Sequence, residues 1–407
     1  MMNRIGFGAL AAALCTLAGC GGGGSSSGGG TPTPPPVVIN NVQPVVVNSG
    51  PSNQEADVLY TSVTICVPGT STCQTIPNIQ VDTGSSGLRL LNSQVTLTLP
   101  NSTDASGNVI GNCVQFLDTS YIWGPVALAD VKFADEVASS LPVQLGAQWG
   151  RPTSFPAAPT VCSSGGTAVT TPSTLGANGI LGVGNFIQDC GQGCANASSK
   201  YYYSCTTTAC TQAAVPVARQ LTNPVAKFPQ DNNGLLISLP ALPDAGQVSA
   251  TGSMIFGIGT QTNNALGAAR VQTISPSTGN FSTTFSGKTY SSSFLDTGSN
   301  GLFFTDTATA LALGLPACAS PNSAFYCPTS QKSFSAITTG VNNTANTVTF
   351  NIANLLNLPQ ANSAFNNIGG SQPGYFDWGL PFFFGKSVFV ALELSSTPGG
   401  NGPYWAY

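Results

Sequence analysis

The sequence predicts a mostly β chain built as two lobes of similar plan, and three observations carry that reading. At 407 residues the chain is longer than one typical hydrophobic core serves. Short apolar runs such as VLYTSVTIC (58–66), SMIFGIG (253–259) and TVTFNI (347–352) are cut repeatedly by Gly, Pro, Asn and Ser, as strands are by turns. Finally, DTGSSGL from Asp82 returns as DTGSNGL from Asp296, with six identities in seven positions.

The context of the two copies matches as well. An apolar residue precedes each, Val81 or Leu295, and an apolar run follows, Leu88–Leu91 or Leu302–Phe304. Further on, each is followed by an apolar-glycine segment, NGILGVGNF (178–186) or DWGLPFFFGKSVFVALE (377–393). The expected lobes are therefore 51–245 and 246–407. Helical pattern is scarce. The better candidates are AAVPVARQL (213–221) and TATALALGL (307–315), the second with Asp306 as N-cap and Gly314 and Pro316 at its end.

Composition narrows the chemistry. Only 6% of residues are charged, against about 25% in ordinary soluble domains, so the surface must be Ser, Thr, Asn, Gln and Gly. A net charge of −4 with scattered bases offers no face for a phosphate backbone, which argues against nucleic acid. Histidine is absent. Ser-His and Cys-His catalysis and histidine-ligated metals fall with it, and acid-base chemistry is left mainly to 15 carboxylates.

The first 20 residues read as an export signal: Arg4, a short apolar run, then Leu17-Ala18-Gly19-Cys20. That tetrad resembles the lipobox of bacterial lipoproteins, which implies that Cys20 carries lipid and begins the mature chain. Gly21, with no Asp after the cysteine, implies the outer membrane by resemblance to Gram-negative sorting, on either face. Residues 21–50 open with GGGGSSSGGGTPTPPP and read as a tether without a core of its own. Membrane contact is expected through the lipid alone, because no later run is long enough to span a bilayer.

Besides Cys15 and Cys20 there are ten cysteines, an even number in an exported chain, which suggests five disulfides. Proximity favours Cys66–Cys73 and Cys318–Cys327 as local closures and Cys113–Cys162 as a longer tie. The other four suit a hairpin with nested Cys190–Cys210 and Cys194–Cys205 links, and their spacing also fits a zinc ribbon. An oxidising compartment favours disulfides, so no metal and no cofactor are expected.

A carboxylate at a buried corner needs hydrogen bonds, and Asp-Thr-Gly-Ser supplies them. Gly84 and Gly298 let the chain turn tightly. Ser85 and Ser299 are placed to donate to the acid, and Thr83 and Thr297 to reach the opposite lobe. Face to face, Asp82 and Asp296 would share one proton, giving an acid and a base at one site. Asp118 and Asp306 sit in similar stretches, FLDTS and FTDTA, but lack the glycine and read as a turn and a helix cap.

On VDTGSS, LDTGSN and Ile180-Leu181-Gly182, the chain resembles the pepsin-like, two-lobed aspartic endopeptidases, over most of residues 58–394. NGLLISLPALPDAGQVSATGSMIFGIGT and FSGKTYSSSFLDTGS extend the likeness to the lobe junction and to the hairpin before the second acid. The resemblance implies that fold, a peptide substrate in the cleft between lobes, and Asp82 and Asp296 as the catalytic pair, in a chain expected to be monomeric. Three positions depart from the pattern. Asp377 stands where the second crossing segment should be apolar, so that either the acid is exposed or the register is one residue off. Arg89 stands where a tryptophan usually braces the flap. The flap, expected within 113–131, has no Tyr-Gly-Thr-Gly motif, and Tyr121 is its candidate. These departures keep an alternative open, a catalytically inactive pepsin-like surface lipoprotein that binds a peptide, glycan or protein in its cleft.

Overall fold

The computed structural model describes residues 39–146 and 155–407. The expected signal, Cys20 and the tether through residue 38 lie outside the described residues. The expected end of the tether at residue 50 needs correcting. Val42–Val47 form a strand, β1, because Val45 and Val47 bury their side chains and the backbone pairs on both sides.

The first lobe continues with β2 (Leu59–Cys66), β3 (Cys73–Asp82), β4 (Ser86–Leu91), β5 (Val109–Gln115), β6 (Tyr121–Phe133), β7 (Glu136–Gly146) and β8 (Gly179–Val183). In the order β2, β3, β8, β4, β7, β6 the strands form a closed ring, sealed by the pairing of β6 with β2. A ring has no free edge to protect. β5 continues the sheet from β6, and a short hairpin of β9 (Tyr202–Cys205) and β10 (Cys210–Gln212) continues it from β5.

Next come β11 (Gly234–Ser238), β12 (Ala250–Phe256) and β13 (Val271–Thr273). The second lobe holds β14 (Phe281–Phe285), β15 (Lys288–Asp296), β16 (Leu302–Phe304), β17 (Lys332–Thr339), β18 (Ala345–Ile352), β19 (Gly369–Gly370) and β20 (Phe376–Gly379). Its sheet runs β18, β17, β14, β15, β20, β16, β19. β21 (Ser387–Ala391) leaves that lobe to join β11, so that β1, β12, β11, β21 and the C-terminal strand Tyr404–Ala406 form one sheet joining the two halves.

Both acid-bearing strands carry a bulge just before the acid. On β3 the inward residues are Ile76, then Ile79 and Val81, a shift of parity by one residue. The pairing with β2 jumps there, from Val63↔Ile76 to Thr61↔Ile79, and Asn78 takes a left-handed φ of 52°. On β15 the inward residues are Tyr290, then Ser293 and Leu295, and the pairing with β14 jumps in the same way. The extra residue decides where the acid points, because strand side chains alternate faces. Without it, Asp82 and Asp296 would turn into the core.

Alternation also orders the second core. Trp378 on β20 is buried, packs on Phe376 at 4.4 Å between centroids, and donates its indole N–H to Thr283 Oγ1 at 3.0 Å. Phe376 in turn stacks on Phe304 at 5.0 Å. With Trp378 facing the core, its neighbour Asp377 must face the other way.

Of the two expected helices, Thr307–Ala312 forms, capped by the Asp306 side chain accepting from Thr309 N–H. Residues 213–221 instead make only a 3-10 turn at Val217–Arg219. Pro216 lacks an N–H and disfavours helix in Val215, whose own N–H donates to Cys194 O.

Disulfides join Cys66–Cys73, Cys113–Cys162 and Cys318–Cys327. The remaining four are not nested but bonded as Cys190–Cys194 and Cys205–Cys210. Cys205 and Cys210 face each other across β9 and β10, whereas Cys190 and Cys194 flank the start of a short helix, Gln192–Asn196. YYYS takes β5 and β10 as its neighbours, so no strand carries Cys190 or Cys194 alongside it.

The aromatic stack sets a stability expectation. Phe376→Ala should cost about 3–5 kcal/mol, the range for an aromatic deletion in a packed core, read as a lower urea midpoint at unchanged slope.

Candidate active site

The bulges bring Asp82 and Asp296 to the ends of β3 and β15, where the two halves meet. Each carboxyl is held in the same way by its own turn. Gly84 N–H donates to Asp82 Oδ1 at 2.7 Å and Gly298 N–H to Asp296 Oδ1 at 2.7 Å. Ser85 Oγ donates to Asp82 Oδ2, and Ser299 Oγ to Asp296 Oδ2 at 2.8 Å.

The threonines between acid and glycine lock the two corners together. Thr83 N–H donates to Thr297 Oγ1 at 3.1 Å, and Thr297 N–H to Thr83 Oγ1 at 3.0 Å. Each hydroxyl then donates across to the opposite strand, Thr83 to Leu295 O and Thr297 to Val81 O. All four bonds are buried, and every donor has found an acceptor.

This lock brings each acid over the other corner's glycine. A Cβ at Gly84 would lie 2.8 Å from Asp296 Oδ1, and one at Gly298 would lie 2.7 Å from Asp82 Oδ1, so no larger residue fits. The two carboxyls therefore face each other closely across the joined corners. Burial first, and the charge of Asp82 second, hold the Asp296 carboxyl well above the ordinary carboxylate range, against the pull of the Ser299 and Gly298 donors.

β8 and β20 cross behind the corners in matching register. Gln80 faces Ile180 and Asp82 faces Gly182; Phe294 faces Asp377 and Asp296 faces Gly379. The register is therefore in phase, and Asp377 is not a surface acid but 3% exposed. Burial, and next the charge of Asp296, raise its carboxyl well above the ordinary range.

The corners floor a cleft of about 950 Å³, whose far wall includes the turn between β5 and β6. This is the hairpin expected as a flap, but Tyr121 is not the side chain that reaches the cleft. Gln115, Phe116, Leu117 and Thr119 line it, while Tyr121 packs beside the Cys113–Cys162 cluster. Its position as the first residue of β6 turns it away from the tip.

Arg89 lies in the cleft wall at 4% exposure. Its guanidinium donates to Ser86 O at 2.9 Å and pairs with Asp189 Oδ2 at 3.2 Å. Asp189 also accepts from Tyr202 OH at 2.6 Å and from Asn112 Nδ2 at 3.2 Å. Sequence reasoning missed Asp189, since its partner lies on a distant strand and no spacing announces it.

Several buried acids hold their protons more tightly folded than unfolded. Asp57 is raised by burial, and Glu136 is pushed up to about 7 by burial and by the charge of Asp231. Asp296 and Asp377 shift the same way. Their contribution is fully present below the unfolded carboxylate values and is lost as pH rises through the folded ones. Thermal unfolding should therefore show Tm falling from about pH 4.5 to about pH 7.5. A Tm that rises across that window would contradict the burial of these groups.

Comparison with known proteins agrees with the architecture. The chain is similar to the solved structure of an aspartic proteinase from Irpex lacteus, with a TM-score of 0.52 and 16% identity over 90% of this chain and 96% of that one. The fold is thus mostly β and pepsin-like, with two lobes. No curated protein matches the chain. Residues 37–407 match one family throughout, and the chain belongs to it: the family described as "Protein of unknown function (DUF3443)".

Proposed function

We propose that the protein is an aspartic endopeptidase that hydrolyses peptide bonds through a water activated by Asp82 and Asp296. The observation that carries this reading is the placement of two carboxyls, each fixed by a glycine N–H and a serine hydroxyl and each lying over the other corner's glycine, at the floor of a peptide-sized cleft. One proton stays on the pair because two like charges this close cannot both persist at low cost. The proton belongs to the pair, one carboxyl acting as acid and the other as base, and the step is written with Asp296 as the acid.

A water between them would give a proton to Asp82 as its oxygen bonds the scissile carbonyl carbon, while Asp296 donates its proton to the carbonyl oxygen. The tetrahedral intermediate then collapses. Its C–N bond breaks, the amine leaves with a proton delivered by Asp82, and a hydroxyl proton returns to Asp296. Atoms and charge balance without histidine or metal.

The alternative, a cleft that binds without cleaving, is favoured by one observation. The hairpin tip presents Phe116 and a 73% exposed Leu117 with no glycine beside them, a sticky edge more than a closing cover. Digestion of an unfolded protein between pH 3 and 7 separates the two. Wild type should cleave fastest at acid pH, and Asp82→Asn or Asp296→Asn should each lower turnover by roughly 10²–10⁴-fold or more with the fold retained. Equal activity in all three, or an inert folded wild type, would overturn the enzyme reading.

We also propose that Cys20 carries lipid and tethers the protein to the outer membrane, on the strength of the lipobox-like tetrad. Cells fed a fatty-acid analogue should label the wild type and not Cys20→Ala.

A further inference from the structure

The hairpin of β5 and β6 reaches the cleft at its tip, yet it does not stand free. On the β5 side, β9 continues the sheet as far as Asn112, and Cys113 N–H donates to Tyr201 O at 2.8 Å. The other side is covered by residues 155–169, which form no strand and follow the hairpin toward its tip.

This segment touches each of the last three facing pairs, Cys113↔Trp123, Val114↔Ile122 and Gln115↔Tyr121. Trp123 packs on Phe155 at 5.4 Å between centroids and donates its indole N–H to Pro156 O at 2.8 Å. Cys113 is bonded to Cys162. Val169, which is buried, packs with Ile122 of β6, Ile180 of β8 and Val114. Gln115 Nε2 donates to Cys162 O at 2.6 Å and to Ser164 Oγ at 2.9 Å, while its Oε1 accepts from Lys200 Nζ at 2.7 Å. Tyr121 N–H donates to Thr167 O at 3.0 Å, and Val169 N–H to Tyr121 O at 2.8 Å.

Contact continues into the turn. A Cβ on Gly166 would lie 1.8 Å from Thr119 O, so the two backbones touch and only glycine fits. Among the described residues, the hydrogen bonds of 116–118 stay within the turn itself. Bending the hairpin away at its base would break the Gln115 and Tyr121 bonds together and uncover Val169, while the disulfide holds Cys113 to Cys162. A two-stranded hairpin alone is marginal; one clasped on both flanks moves with the lobe that holds it.

We propose that residues 155–169 form a strap that fixes the hairpin as a standing wall, so that the cleft is preformed and takes an extended, unfolded stretch of polypeptide without closing over it. This rests on the reading of the cleft as a peptide site. The strap makes no hydrogen bond to Asp82 or Asp296 and acts by setting the width of the space above them. A fixed wall neither widens for a bulky loop nor tightens around a slender one. Selection is therefore by shape, and binding loses no entropy to ordering the hairpin.

The test reads the wall directly. In full-length Asp82→Asn protein, where turnover is blocked, the Tyr121 and Val169 amides should exchange at least about 100-fold more slowly than an open loop. Adding reduced, alkylated ribonuclease should change those rates by less than about threefold. Gly166→Val, at a position outside the cleft lining, should speed both amides about tenfold or more. If it does not fold, Gln115→Ala should give the same loss. A decapeptide recovered from the bound ribonuclease should bind at least about tenfold more tightly as a linear chain than as a head-to-tail ring, and either variant should narrow that ratio. Amides that exchange like an open loop, or that gain more than about tenfold protection when the ribonuclease binds, would reveal a closing cover and overturn the proposal. An unchanged ratio in the variants would overturn it as well. A fixed hairpin over a bound chain that is cleaved at no pH would sink the peptidase reading alone, and a wild type that neither holds nor cleaves the unfolded chain would sink both.

Discussion

The structure turns on the cost of keeping two carboxyls together at one half-buried point. Coulomb repulsion and lost hydration both act against Asp82 and Asp296, and each device around them offsets part of that cost. The glycine N–H groups and serine hydroxyls solvate the oxygens. The exchanged threonine bonds keep the corners from drifting apart to relieve the repulsion. A bulge on each strand aims the acid away from the core while the residue before it stays inside. Remove any one and the others lose their purpose, which is why they recur together in both halves.

Around this shared plan the two halves distribute their charge differently. Arg89 and Phe303 occupy the same place after the corner, on β4 and β16, and face Ile180 and Asp377 respectively. In the first half the buried charge is a cation on the outer strand, neutralised by Asp189 and a tyrosine. In the second it is an acid on the crossing strand that makes no ion pair among the described residues. A paired ion can remain charged when buried; an unpaired acid stays neutral. One fold thus carries a buried ion pair on one side and a lone buried acid on the other.

How much of this was legible follows from what each signal depends on. The corners could be read because their chemistry is local: acid, hydroxyl, glycine and hydroxyl lie within four residues. The bulges also left a trace, since Ile76, Ile79 and Val81 line up with Tyr290, Ser293 and Leu295 at the same offset as the acids, but Ser293 breaks the apolar pattern that would reveal it. The disulfides at Cys190–Cys194 and Cys205–Cys210 are not legible from spacing because the pairing depends on which strands YYYS joins. Residue type alone points to Tyr121, whereas the reach of a hairpin side chain depends on where the turn falls. Asp377 stands out as irregular in the sequence, yet its burial depends on Trp378 filling the core beside it.

The sheet joining the halves bears on how the chain can assemble. The ring of β2, β3, β8, β4, β7 and β6 has all its strands once Val183 has emerged, but β1 at the start of the fold waits for β12, its partner at Ile255, and β11 waits for β21 near Val390. Such pairings have high contact order and are slow to form. Until they do, β1 has an open edge, in a chain whose few charges give it little electrostatic repulsion from its neighbours. A folding helper that shields the N-terminal strand would protect the molecule at its most exposed stage.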